Sequence, residues 1–101
     1  MIEIMTFRLV EGAQKAAFVA ANAAVQAEYA PHRPGLLGRT TAQNADGDWV
    51  CIVHWRAAKD EEAANKAWGQ DTVTSSFDSF IDGDSVVVKR YTPLGGHLGS
   101  M

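Results

Sequence analysis

Between Ile2 and Leu9, apolar side chains occupy both alternating sets of positions: Ile2 and Ile4 with Thr6 and Arg8 in one, Met5, Phe7 and Leu9 with Glu3 in the other. Alternation predicts a strand, and apolar groups on both of its faces predict cover on both, because a one-sided antiparallel sheet shows clean polar alternation. Beyond Gly12 the period changes. Phe18, Asn22, Val25 and Tyr29 recur at 4-3-4 spacing among alanines, which predicts a helix whose small flanking side chains let it lie close to a sheet. Pro31 and Pro34 end it, since proline lacks an amide donor and restricts the residue before it.

Two more strand-like runs, Leu36 to Gln43 and Trp49 to Arg56, flank Asn44-Ala45-Asp46-Gly47-Asp48. These are residues that tolerate positive φ, and the combination predicts a β-hairpin. The next segment opens with Asp60, Glu61 and Glu62, where carboxylates favour the positive end of a helix dipole, and carries Ala64, Ala67 and Trp68 on its apolar side. Gly69 interrupts it. Val73, Phe77, Phe80 and Ile81 resume helical spacing as far as Asp82, and Ser85 to Tyr91 forms the last strand.

The order is β-α-β-β-α-β, an α+β, ferredoxin-like sandwich over residues 1–92, with a Gly- and Pro-containing tail at 93–101 expected to be mobile. Helices on one face of such a sheet leave an apolar second face, which predicts a homodimer. The aliphatic set Ile2, Ile4, Thr6, Val50, Ile52 and His54, lying opposite Gly38 and Ala42, is assigned to the helices. The set Glu3, Met5, Phe7, Arg39, Thr41, Trp49, Cys51, Val53 and Trp55 is assigned to the second copy, because aromatic surfaces with an embedded arginine typify interface centres. Glu3 and Arg39 are expected to pair there, with each other or with dimer mates, since unpaired buried charge is costly.

Composition narrows the function classes. A chain of 101 residues, 47% hydrophobic and 21% charged, is one folded domain. Its net charge of -3 gives no reason to bind a polyanion, so no nucleic acid is expected. RNA-recognition domains share the strand order and stack bases on sheet aromatics, but the third strand has no Gly-aromatic pattern. The first strand, with Glu3 and Arg8 inside it, is too short and polar to span a membrane. Cys51 has no intrachain partner, which makes the cytoplasm the default compartment. His32, His54 and His97 are 22 and 43 residues apart, unlike metal ligands on one turn, so no metal is expected.

In the opening IEIMTFRL, the helix end at Arg33-Pro34-Gly35, the strand WVCIVHW and the helix ending AANKAW, the chain resembles the antibiotic biosynthesis monooxygenase-like domains of the dimeric α/β-barrel superfamily. The resemblance runs from Ile2 to Tyr91. It implies a homodimer with a ligand cleft between helices and sheet in each subunit. Relatives of this kind include cofactor-independent monooxygenases, in which an electron-rich anion of an aromatic polyketide or quinol reacts with oxygen among Asn, Trp and Tyr side chains. Asn22, Tyr29, Asn65 and Trp68 are the available residues of these types. The haem-degrading relatives carry a helix Trp, an iron-ligating His about three turns later and an Asn near the first strand. Trp68 matches the Trp, but Asp78 stands where the His would be and the first strand has no Asn, so no haem or other cofactor is expected.

Asn22 interrupts an apolar stripe, where an amide needs partners, and is the first catalytic candidate; its structural alternative is a hydrogen bond to a neighbouring backbone group or a slight rotation toward solvent. His54, an imidazole on a strand, is the candidate general base, or else a core or rim histidine. Thr6, Tyr29, Trp68 and Phe77 are the candidate substrate-binding residues, the aromatics doubling as ordinary core. Ser75-Ser76 lacks the setting of an activated nucleophile and is assigned to the helix surface. The leading expectation is a small-molecule enzyme of the cofactor-independent monooxygenase type. The alternative is a non-catalytic ligand-binding or stress-associated dimeric module.

Overall fold

The chain was examined as a computed structural model that describes residues 1–95. Four strands, β1 (Ile2–Phe7), β2 (Leu36–Gln43), β3 (Trp49–Trp55) and β4 (Val87–Tyr91), form one sheet in the order β2-β3-β1-β4. All three pairings are antiparallel. Helix α1 (Lys15–Ala24) follows β1, and α2 (Ala58–Ala67) and α3 (Thr72–Ser79) lie between β3 and β4. The expected ferredoxin-like arrangement is thus the observed one. The expected mobile tail falls, from residue 96 onward and including His97, outside the described residues. Among those described, no helix is long and apolar enough to cross a membrane.

Each boundary has a local cause. The hairpin loop closes because Asn44 Oδ1 accepts from the amides of Asp46 and Asp48 at 3.0 and 2.9 Å, while Gly47 adopts φ +89°, a conformation costly to other residues. Helix α1 runs into a widened π turn at Val25–Tyr29, in which the Ala30 amide bonds the Val25 carbonyl five residues back. A short 3₁₀ turn at Ala30–His32 then carries the chain to Pro34. The Gly69 break is sharp: Asp71 caps α3 by accepting from the Thr74 amide at 2.7 Å, satisfying a helix-end donor. Gly35, at φ +77°, packs so closely on Asp60 that a β-carbon there would collide with its carboxylate.

The helices cover the sheet face opposite to the one expected. Phe7, Trp49, Cys51, Val53 and Trp55 are buried, packed with Phe18, Val25, Tyr29, Ala64 and Phe77 in one core. Phe18 is its centre, with ring centroids 5.8 Å from Phe7, 4.8 Å from Trp49 and 5.2 Å from Phe77. The other face carries Ile2, Ile4 and Thr6, in register with His54, Ile52 and Val50 on β3 and with Tyr91, Lys89 and Val87 on β4. No element among the described residues covers it: Ile52 is 38% and Val87 and Tyr91 are each 50% exposed. Both assignments are therefore exchanged. The face of Glu3, Phe7, Arg39, Trp49 and Trp55 belongs to the subunit's own interior, not to a homodimer contact. The physical reason is volume. Large side chains from both layers, Phe18, Tyr29 and Phe77 against Phe7, Trp49 and Trp55, fill the space between helices and sheet, each removing far more apolar area from water than an aliphatic one.

Candidate functional site

Three rows of side chains point from the sheet toward the helices. One row reads Arg39, Val53, Glu3, Arg90 across β2, β3, β1 and β4, and the next reads Thr41, Cys51, Met5, Val88. Beside them Leu36 pairs with Trp55. Together with the π turn, α2 and α3, these rows enclose a cavity of about 420 Å³, within the size range of small-molecule sites. Its walls are largely apolar and aromatic: Tyr29, Trp55, Trp68 and Phe77, with Met5, Val53 and Ile81. Polar groups enter at a few points only, from Arg39, Glu3, Arg90, Asn65 and Asp78. Val88, Arg90, Asn65 and Asp78 are exposed, which places the mouth on the side of β4 and the helix ends.

Trp68 and Asp78 form one unit. The indole Nε1–H donates to both carboxylate oxygens of Asp78 at 2.8 Å, while the ring stands edge-on to Tyr29 and Phe77 at 5.1 and 5.9 Å. Burial pushes the Asp78 carboxyl above its ordinary value, opposed by that indole donor. Thus the residue ten positions after the tryptophan holds the indole. Tyr29 presents a hydroxyl with no hydrogen-bond partner, and burial raises its pKa.

Glu3 and Arg39 do not pair as expected. Glu3 accepts from Trp55 Nε1 at 3.1 Å. Its carboxyl is raised by burial and by neighbouring Glu61, against the lowering effect of the indole bond and of Arg90. Glu61, buried on α2, is held by Arg90 Nε at 2.8 and 2.9 Å. Arg39 Nη1 donates to Gln26 Oε1 at 3.2 Å, and the guanidinium lies 5.4 Å from the Phe77 ring centroid.

Of the six candidates drawn from the sequence, the structure gathers Tyr29, Trp68 and Phe77 around the cavity. Asn22 lies between α1 and the sheet, its Oδ1 accepting from Thr41 Oγ1 at 2.9 Å, and is not part of the cavity wall. His54 and Thr6 are on the uncovered face, His54 opposite Ile2 and Thr6 opposite Val50, so neither reaches the cavity. A single inversion of strand phase displaced both, since a side chain's face follows its neighbours' at period two. Inversion also concealed Glu3, Met5, Arg39 and Trp55 as cavity residues. Asp78 could have been found from its position ten residues after Trp68.

No protein-family model matches the chain, and no curated protein matches it in sequence. Solved structures do match in shape. SnoaB, a cofactor-independent oxygenase from Streptomyces nogalater, superposes with a TM-score of 0.75 at 15% identity, over 94% of this chain and 93% of that one. A putative antibiotic biosynthesis monooxygenase from Chloroflexus aurantiacus gives 0.71 at 18% identity, over 95% and 94%. A monooxygenase from the gene ActVA-Orf6 of Streptomyces coelicolor, solved with the ligand nanaomycin D, gives 0.64 at 18% identity, over 96% and 89%. At such identities the likeness is one of fold: across nearly its whole length this chain has the ferredoxin-like α+β fold of the antibiotic biosynthesis monooxygenase structures, the architecture of the dimeric α/β barrels.

Proposed function

We propose that the chain is a cofactor-independent oxygenase acting on hydroxyarenes or quinols in the cavity between sheet and helices. The observation that carries this reading is the aromatic box of Tyr29, Trp55, Trp68 and Phe77 around about 420 Å³, open on one side and furnished with a few polar groups. Flat electron-rich rings fit such walls by stacking and edge contacts. The oxygenase matches in fold support the same chemistry.

In that reaction the deprotonated substrate is the reductant and dioxygen the oxidant. The electron pair of the carbanion form makes a C–O bond to O₂, the peroxide takes up a proton, and loss of water leaves a carbonyl, so that CH₂ and O₂ become C=O and H₂O. Buried cationic and indole donors stabilise the anion. The raised carboxyls of Glu3 and Asp78 are the groups suited to exchange the proton. The uncovered sheet face of Ile4, Ile52, Val87 and Tyr91 is the surface through which two subunits would associate, as apolar patches of this kind mark interfaces.

Oxygen uptake with anthrone and naphthol-type substrates tests the activity. Wild type is expected to consume one O₂ per carbonyl formed without added cofactor, and Trp68→Phe, which releases Asp78, to lower kcat by roughly tenfold or more. Saturable binding of these compounds with no oxygen uptake would instead identify a non-catalytic ligand-binding module.

A further inference from the structure

The row Arg39, Val53, Glu3, Arg90 contains two arginines in opposite circumstances. Arg90 is half exposed and bound to Glu61 through Nε at 2.8 Å. Arg39 makes no salt bridge among the described residues. Its Nη1 is occupied by the amide oxygen of Gln26, and one side of the guanidinium lies against Phe77. Nη2 is buried and has no hydrogen-bond partner, on a side chain that lines the cavity. A guanidinium always carries its charge, and a buried cation with an idle donor is stable only when something supplies the acceptor. Burial holds Arg39 below its usual pKa, opposed by the neighbouring Cys51, as a charge without a counter-ion should be. The gap is built in: Gln26 fixes the fork and Phe77 backs it, while among the described residues no carboxylate pairs with it.

We propose that Arg39 is the anchor for an anionic substituent of the cavity's ligand, so that the preferred ligands are hydroxyarenes bearing a carboxylate. Arg39 and Glu3 stand two strands apart on the same row, roughly 10 Å at the spacing of adjacent strands. Two or three fused rings bridge that distance across Val53. The carboxylate meets the Arg39 guanidinium at one end, and a hydroxyl or carbonyl meets Glu3 and the Trp55 indole at the other. The acidic side chains fix the orientation. Glu3 lies two strands from Arg39 and repels the carboxylate from that end, and Glu61 is already neutralised by Arg90. This deepens the preceding reading and rests on it only for the cavity's being the ligand site.

The test needs binding alone. Anaerobic calorimetric titration of 6-hydroxy-2-naphthoate and of 6-hydroxy-2-naphthamide, whose two substituents stand at opposite ends of the fused rings, compares a carboxylate with its neutral isostere on the same frame. Wild type is expected to bind the carboxylate about tenfold or more tightly, in line with a charge-assisted hydrogen bond in a dry site. Arg39→Gln abolishes the preference, weakening the carboxylate more than the amide, and Arg39→Met serves as the second variant if Arg39→Gln does not fold. Equal affinities in wild type, a preference that survives in either variant, or binding of neither compound overturns the proposal. A protein that keeps the preference yet consumes no oxygen refutes only the oxygenase reading. One that oxidises neutral hydroxyarenes without preferring the carboxylate refutes only the role of Arg39.

Discussion

The two faces of this sheet are made by the same four strands, and both are rich in apolar side chains, yet one is the core and cavity and the other lies open. On the covered face Phe7, Trp49 and Trp55 are 2 to 7% exposed. The open face carries Ile2, Ile4, Val50 and Ile52, with Val87 and Tyr91 toward its β4 edge. Charge also divides them. Glu3 and Arg39, which look out of place among aromatics in sequence, lie on the covered face because that face holds a cavity as well as a core, and polar groups are tolerated where they line it. The comparison teaches that side-chain size separates two apolar faces better than apolarity does. The helices bring Phe18, Tyr29 and Phe77 to the face that holds Phe7, Trp49 and Trp55, while the open face carries the smaller, branched side chains.

The strongest way to break this comparison is to truncate one residue on each face. Trp49→Ala removes an indole packed 4.8 Å from Phe18 and should cost about 3–5 kcal/mol in urea unfolding. Ile52→Asp, on the open face, should change the stability of the diluted monomer by only about 0.5 kcal/mol while abolishing self-association in sedimentation velocity. Equal losses from the two substitutions would show that the faces are not distinct. A smaller effect sharpens the role of Asn22. Thr41→Val removes the donor to Asn22 Oδ1 and leaves a half-buried amide oxygen unsatisfied, so a loss of about 1–2 kcal/mol in stability is expected, with the affinity for cavity ligands unaltered. A change in affinity without a change in stability would return Asn22 to the site.

Glu3 gives the smallest effect and a pH signature. Burial, reinforced by Glu61, raises its carboxyl above the ordinary 4.5. The fold therefore favours the protonated acid: that contribution is fully present below the ordinary value and is lost as pH rises through the raised one. Glu3→Gln, which stays neutral and still accepts from Trp55, should match wild type at pH 4 and exceed it in urea midpoint at pH 7.5. A variant less stable than wild type at pH 7.5 would mean that the ionised carboxylate is the favoured state.

Much of the fold was legible one residue at a time. The 4-3-4 stripe of Phe18, Asn22, Val25 and Tyr29, the prolines after it, the Asn44–Asp48 loop and the Gly69 break are local signals, and local chemistry placed each element. Membership of the cavity was legible only in part. Tyr29, Trp68 and Phe77 reach it because a helix has one apolar side and that side must face the sheet. Thr6 and His54 do not, because a strand's phase is a binary choice that its own pattern leaves undecided when both alternatives are apolar.

The sequence by itself determined the order of elements, the hairpin, the helix ends and the apolar character of both sheet faces, since these follow from backbone preferences and from periodicity within short windows. Only the tertiary structure decided which face meets the helices, that Glu61 takes Arg90, that Asp78 takes Trp68, and that Arg39 is left without an anion. Those outcomes depend on volumes and distances between elements 10 to 52 residues apart in the chain, and no local pattern records how a gap between helix and sheet is filled.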